Sequence, residues 1–459
     1  MKTPIKILTL LLTLSAYAQK GGLTDFPKLE FTNIPGVPKL SQPILVTAEN
    51  GAPLISEGFG LAAPAFYDWD GDGLKDLLIG EFGSGVEHGK NVGNFIRIYK
   101  NTGTAEKASF TGQWDYAKPP FELPGNGTPY SVAQYCCMGF TPQFIDLNND
   151  GQLDLITGQY YGEVTWFQGS KLGFSPGELL PQDPYMGGPR NEPNGLQRKA
   201  HQFYWIYSSA SFGDFTGDGK PDLIIGGREL RISKNIGTLS NPEFAQREPL
   251  LDIKGDPLNV RDLTKDELKY YDQLAEYGYK PPASGSIALS PYVVDWDQDG
   301  ILDLLVTQEY SVEGDIAVLF FKGVWTKEGK PNEQVRFRQG VPLFTAKNNA
   351  KALPGYAQRV AVVDWNHDGV NDLLIGTSVL TMRGEFNGEL SWNWQYDIGI
   401  DKNAPGYLAQ AIPESQLLQG YKDNTKLPKD ITLEDYKTIW HQGYIYVMLG
   451  HKDNQEKNP

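Results

Sequence analysis

Short apolar runs recur along the chain, each preceded by a dense polar stretch of Asp and Gly. Leu77-Leu78-Ile79, Leu155-Ile156-Thr157, Leu223-Ile224-Ile225, Leu304-Leu305-Val306 and Leu373-Leu374-Ile375 are rich in β-branched residues and read as buried strands rather than helices. Each unit reads strand, polar loop, strand. The loops start at residues 68, 146, 214, 295 and 364, a period that calls for a repeat architecture. A third strand follows each pair, at Asn94 to Lys100, Val164 to Gly169, Leu230 to Asn235, Ile316 to Lys322 and Tyr444 to Gly450. Fourth strands are expected at Ala108 to Thr111, Pro242 to Ala245 and Val335 to Arg338. Four antiparallel strands per repeat make the blade of an all-β propeller. The fifth copy runs out of chain after its third strand, whereas Lys28 to Thr32 has the fourth-strand pattern and no blade of its own. That N-terminal strand is expected to complete the last blade and close the ring.

The polar loops are Asp68-Trp-Asp-Gly-Asp-Gly-Leu-Lys-Asp76 and four relatives, beginning at Asp146, Asp214, Asp295 and Asp364. Counting the first Asp as position 1, oxygen-bearing residues stand at 1, 3, 5 and 9, with Gly at 6. The sets are Asp68, Asp70, Asp72 and Asp76; Asp146, Asn148, Asp150 and Asp154; and Asp214, Thr216, Asp218 and Asp222. The last two are Asp295, Asp297, Asp299 and Asp303; and Asp364, Asn366, Asp368 and Asp372. Alternating oxygens with a Gly at a sharp turn suit a hard cation such as calcium. Up to five structural ions are expected, the third loop being the weakest because Thr216 offers only a hydroxyl. An EF-hand needs a Glu at position 12, where this chain has Ile79, Thr157, Ile225, Val306 and Ile375. Position 2, which is Trp69, Leu147, Phe215, Trp296 or Trp365, should alternate away from the ligands into the core.

These loops, the turns Lys100-Asn-Thr-Gly103 and Lys234-Asn-Ile-Gly237, and the Phe-containing strands that run on to Pro-Leu resemble the FG-GAP/VCBS repeats of secreted bacterial proteins and of the integrin α-subunit head. The resemblance implies a calcium-binding propeller and leaves activity open. Family propellers often have seven blades, so either this ring has five or one or two blades lack the loop.

The ends and the charge narrow the setting. Residues 1–18 read as a signal peptide, with Lys2 and Lys6, an apolar run from Ile7 to Leu14 and Ala16-Tyr17-Ala18 at the cleavage site. A secreted or periplasmic protein is expected, without a membrane span and with no Cys at the cleavage site for a lipid anchor. Residues 19–450 read as one propeller domain, with insertions at 262–278 (a surface helix) and 378–442 (an aromatic segment packed over one face), and 451–459 as a polar tail. The net charge is -15, but the loops alone hold 17 Asp. Five bound calcium ions would leave about -5. The acidity is thus a metal-binding signature, and with no basic stripe nucleic-acid binding is excluded. The only cysteines, Cys136 and Cys137, are adjacent. They stand as two buried thiols, a vicinal disulfide or a pairing with another chain, the vicinal disulfide being favoured.

If the loops joining strands 1 and 2 hold metal on one face, the other face is free for a ligand. There the connections bring Tyr135, Cys136, Cys137, Tyr160, Tyr161, Arg198, His201, Tyr204, Tyr310, Tyr356 and Arg359 toward the mouth of the central channel. Aromatic rings that stack on sugar faces, beside polar groups that bond hydroxyls, suit a carbohydrate. The plainer reading is that these aromatics pack between blades. Three functions follow: binding of a carbohydrate or extracellular protein without chemistry, which is favoured; a polysaccharide lyase using Tyr, His and Arg; or an adhesion or assembly module, by analogy with integrins alone. No paired-carboxylate hydrolase site or nucleophile motif stands on the free face.

Overall fold

A computed structural model describes residues 28–56, 61–83, 93–120, 122–123, 127–132, 138–160, 162–180, 209–265, 268–269, 272, 288–308, 318–326, 334–346, 352–353, 356–382, 385–386, 389–390, 394–395 and 439–452. The chain is an all-β, five-bladed propeller arrangement of antiparallel sheets. Four sheets have strands in sequence order: Ala63–Tyr67, Asp76–Gly80, Ile96–Asn101 and Phe110–Tyr116; Gln143–Ile145, Asp154–Gly158, Val164–Phe167 and Glu178–Leu179; Ala210–Gly213, Asp222–Ile225, Arg231–Ser233 and Glu248–Pro249; and Ser290–Val294, Asp303–Thr307, Leu319–Phe321 and Val341–Pro342. The fifth sheet runs Tyr356–Val363, Asp372–Met382 and Ile439–Met448, and then Ile44–Leu45 from the start of the chain.

The second strands are apolar throughout because both of their faces are covered. Leu77 and Ile79 belong to the cluster shared with blade five, together with Ala361, Leu374 and Ile445. Leu78, between them, belongs to the cluster shared with blade two, beside Leu155, Phe140 and Phe167. The same alternation joins blades two and three through Ile156 and Leu223, three and four through Ile224 and Leu304, and four and five through Leu305 and Leu373. Successive blades therefore share a core, and the sequence of shared cores returns to its start.

Position 2 of each loop packs forward onto the following blade, as its alternation requires. Trp69 stacks on Phe174 with centroids 5.6 Å apart, Phe215 meets Phe337 at 5.8 Å, and Trp365 meets Phe66 at 4.7 Å. Glycines at the ends of the second strands set the blade spacing. A Cβ on Gly80, Gly226 or Gly376 would lie 1.9, 1.9 or 1.7 Å from the carbonyl oxygen of Phe140, Leu289 or Ala62 in the next blade. In blade four this position is Thr307, whose hydroxyl donates to the equivalent carbonyl, Gln358 O, at 2.6 Å.

Two strand expectations need correction. Leu29–Phe31 does not join the last blade but pairs with Phe344–Ala346, while Ile44–Leu45 and Ile55–Ser56 pair with Ile439–Met448. The outermost strands of blades three and four are the Pro-containing segments Glu248–Pro249 and Val341–Pro342, not those around Phe244 and Phe337. Phe244 forms only an isolated bridge with Asn235, and Val335–Phe337 pairs with Gly323–Trp325 in a separate ribbon. In these two blades the third strand ends early, at Ser233 and Phe321. Of the helix expected within 262–278, Lys265, Leu268, Lys269 and Asp272 are described, all helical and exposed. The second and third strands of blade five continue their pairing out to Met382 and Ile439, into the span expected as an insertion. No helix among the described residues is long and apolar enough to cross a membrane. The signal peptide and most of the C-terminal tail lie outside the described residues.

Candidate metal centres and the opposite face

All five loops share one hydrogen-bond plan. The position-1 carboxylate accepts from the N–H at position 6 through one oxygen: Gly73 to Asp68 at 3.0 Å, Gly151 to Asp146 at 2.9 Å, Gly219 to Asp214 at 2.8 Å, Gly300 to Asp295 at 2.9 Å and Gly369 to Asp364 at 3.0 Å. Its other oxygen accepts from position 4 or 5. Position 5 accepts from the N–H of position 7. These bonds fold each loop into a tight coil.

Position 9 has a second task. Asp76 accepts from Trp69 N at 3.1 Å and from Asn101 N, the last residue of the third strand, at 2.8 Å. Asp154, Asp222, Asp303 and Asp372 do the same with Leu147 and Gly169, Phe215 and Asn235, Trp296 and Gly323, and Trp365 and Gly450. Each carboxylate thus ties its loop to the end of the third strand. It takes the N–H there: in blade one the third strand carries on through a register shift and Asn101 still pairs with Phe110, whereas in blades three and four the strand ends and the outermost strand starts later. All five are buried. Burial raises their pKa values despite the two N–H donors, to about 6 for Asp222 and Asp303.

The donor set fits a calcium-like cation. One carboxylate oxygen from each of Asp68, Asp70 and Asp76 lies within 4.8 Å of the others, as for Asp295, Asp297 and Asp303. Asp297 is 8% exposed, and its Oδ1 has no hydrogen-bond partner in the structure. A buried carboxylate oxygen without a donor is costly unless a cation faces it. In the third loop Thr216 Oγ1 is turned toward Asp214 at 3.5 Å, consistent with the weakest donor set.

The first strands run from the opposite face toward the loops, and the second strands run back. Where they begin and end on that face, buried polar side chains collect: Glu81, Thr141, Ser209, Ser290, Gln308 and Arg359. Arg359 Nη1 donates to Gln358 O at 2.9 Å, and its Nη2 lies 3.6 Å from Met138 Sδ, beside the inner strand of blade two. Met138 O also accepts from Asn94 Nδ2, ahead of the third strand of blade one, at 2.7 Å, so the segment entering blade two meets blades one and five here. Thr141 Oγ1 and Ser209 Oγ are buried without a hydrogen-bond partner. Glu81 accepts from Arg97 Nε at 2.5 Å, and the Arg97 guanidinium lies 3.6 Å over the Trp114 ring.

Of the expected ligand residues, Arg359 is in this layer and Tyr160 is half-buried at the turn after the second strand of blade two. Tyr356 opens the strand Tyr356–Val363. Tyr135, Cys136, Cys137, Tyr161, Arg198, His201, Tyr204 and Tyr310 lie outside the described residues.

Residues 146–225 match the family described as FG-GAP-like repeat. This segment is an FG-GAP-like repeat. No curated protein matches the chain in sequence. Among solved structures the chain is similar to a glycosyl hydrolase from Bacteroides ovatus, at 10% identity over 78% of this chain and 93% of that one, with a TM-score of 0.32. It is similar to a structure from work on GH130 mannoside phosphorylases and on hydrolases that target β-1,2 mannosidic linkages in Candida mannan, at 10% identity, with the same coverage and a TM-score of 0.29. An exotype rhamnogalacturonan lyase, YesX, is 13% identical over 76% of this chain and 57% of that one, with a TM-score of 0.29. Likeness at this level carries no argument about activity.

The matched FG-GAP-like repeat runs from one loop to the strand after the next, and its loop plan holds in all five copies. Two parts of that plan were missed in the sequence. Position 4 is left-handed in every copy, with φ of 75° at Gly71, 55° at Asn149, 69° at Gly217, 58° at Gln298 and 55° at His367. The residue bound by position 9 is Asn or Gly in each of the five units, for a steric reason. A Cβ on Gly169, Gly323 or Gly450 would meet the position-8 carbonyl of Leu153, Leu302 or Asn371 at 2.1–2.2 Å, whereas the Asn101 amide donates to Lys75 O at 3.2 Å.

Proposed function

We propose that the protein is a secreted propeller of four-stranded blades, fastened by calcium in its five loops and closed through the pairing of its N-terminal segment with the last blade. The face opposite the loops binds a carbohydrate. The observation that carries this reading is the layer of buried polar side chains where the first strands begin, with Thr141 Oγ1 and Ser209 Oγ left without partners. Hydroxyls and a guanidinium in one layer suit a ligand rich in hydroxyl groups. Calcium on one face fixes the positions of the strands whose other ends form this layer, so metal and ligand act at opposite ends of the same strands.

The test is a glycan array probed with the calcium-loaded protein, followed by titration of any glycan that binds. Binding without turnover is expected, weakened about five-fold or more in Ser209→Ala and Thr141→Ala. An array with no binder would remove the carbohydrate reading. Absorbance from new C=C bonds on uronic-acid polysaccharides would replace binding by lyase chemistry.

A further inference from the structure

The loops differ at position 3, and a residue outside the loop differs with it. Position 3 is a carboxylate only in blades one and four, as Asp70 and Asp297. The residue just before the N–H bound by position 9 is, in blade order, Lys100, Gln168, Lys234, Lys322 and Leu449. Lys100 Nζ lies 2.6 Å from Asp70 Oδ2. Lys322 Nζ contacts Asp297 and lies 2.7 Å from Asp299. Blade three separates the causes. Lys234 occupies the same place, but position 3 is Thr216, and Lys234 Nζ lies 3.4 Å from Glu248 instead. The position-3 carboxylate, not the blade, draws the ammonium. In blades two and five the position-3 amide donates to position 5, Asn148 to Asp150 at 3.1 Å and Asn366 to Asp368 at 3.0 Å.

We propose that Lys100 and Lys322 are tethered counter-ions of the first and fourth loops, which therefore form a class of divalent-cation site distinct from the second and fifth; in the third loop the ammonium comes from within, Lys220 Nζ lying 3.0 Å from Asp218. In blades one and four an arriving calcium ion displaces an ammonium; in blades two and five it does not. The inference rests on the calcium reading of the loops. Charge supports it: a loop of four Asp with one Lys has the same formal charge as a loop of three Asp alone. Asp297 supplies the geometric support, with one oxygen held by Lys322 and the other buried without a donor. A calcium ion takes six to eight oxygens at about 2.3–2.6 Å. An ammonium left on the other oxygen of a calcium-bound carboxylate is repelled by the ion at close range.

The test is calcium titration of the full, calcium-stripped protein by isothermal calorimetry, for wild type, Lys100→Met, Lys322→Met, the double variant and Lys234→Met. Wild type is expected to titrate in two phases. The double variant should tighten the weaker phase about five-fold at unchanged stoichiometry. Lys322→Met should contribute more than Lys100→Met, since Lys322 is 27% exposed and Lys100 63%. Lys234→Met should match wild type. Terbium excited through Trp69 and Trp296, at position 2 of these two loops, gives a second readout that should shift in the same direction. An unchanged or weakened double variant overturns the role of the lysines and leaves the calcium reading standing. No calcium uptake by wild type overturns the calcium reading, and this inference with it.

Discussion

Gly300, at position 6 of the fourth loop, has φ of 84°, and a Cβ placed on it would meet nothing within 4 Å. Space is not what keeps this residue a glycine; the backbone is. Gly300→Ala should therefore cost about 1 kcal/mol through conformation alone, and His367→Gly, which relieves the same strain at position 4, should gain up to about as much. Urea unfolding of both variants checks this, and an unchanged midpoint in Gly300→Ala would refute it. Position 6 was legible because glycine repeats there five times. Position 4 carried a fainter signal, Gly71 and Gly217 beside Asn149 and His367, which enter the left-handed region more readily than most residues, and Gln298 gives none. The oxygens at positions 1, 3, 5 and 9 were legible, whereas the partners of position 9 lie at or beyond the end of the third strand.

At the scale of the element, the bond from position 9 joins loop, second strand and third strand. Its protonation should be visible in stability. Burial pushes Asp222 and Asp303 up to about 6 from 3.8, and raises Asp76, Asp154 and Asp372 in the same direction. Between about pH 4 and 6 the folded calcium-stripped protein then binds more protons than the unfolded chain, so its stability falls as pH rises through that window and levels off above it. Asp70, lowered by its hydrogen bond to Lys100, titrates below the window. Calcium favours the ionised carboxylates and should reverse the slope. Urea midpoints from pH 4 to 6.5, with and without calcium, measure it; the same falling slope in both states would show that these carboxylates do not face the ion. The late fourth strands belong to this scale too. The Phe-containing segments had the right composition for a strand, but no composition records that Asp222 and Asp303 take the N–H groups of Asn235 and Gly323.

For the whole molecule, five loops on one rim imply that metal stabilises the ring as a unit. Each site held at ten times its dissociation constant adds about 1.4 kcal/mol, which is a few degrees in a domain of this size. Calcium should raise the melting temperature by several degrees and a chelator should return it; no shift would remove calcium as a fastener. The period and the direction of each strand were legible and separate the metal face from the face to search for a ligand. Which N-terminal strand meets the last blade was not, since Lys28 to Thr32 and Ile44–Leu45 both follow a strand pattern and only tertiary packing decides between them.

Leu77 and Leu78 are adjacent in the chain and belong to different cores. Every second strand is divided in this way, so removing one blade strips two interfaces. An open stack of repeats can fray from its ends, each unit melting at its own free energy. Here no unit is terminal, and loss of any blade opens the cores on both sides of it. Unfolding of the ring is then a single cooperative event, and damage confined to one blade is felt by all five.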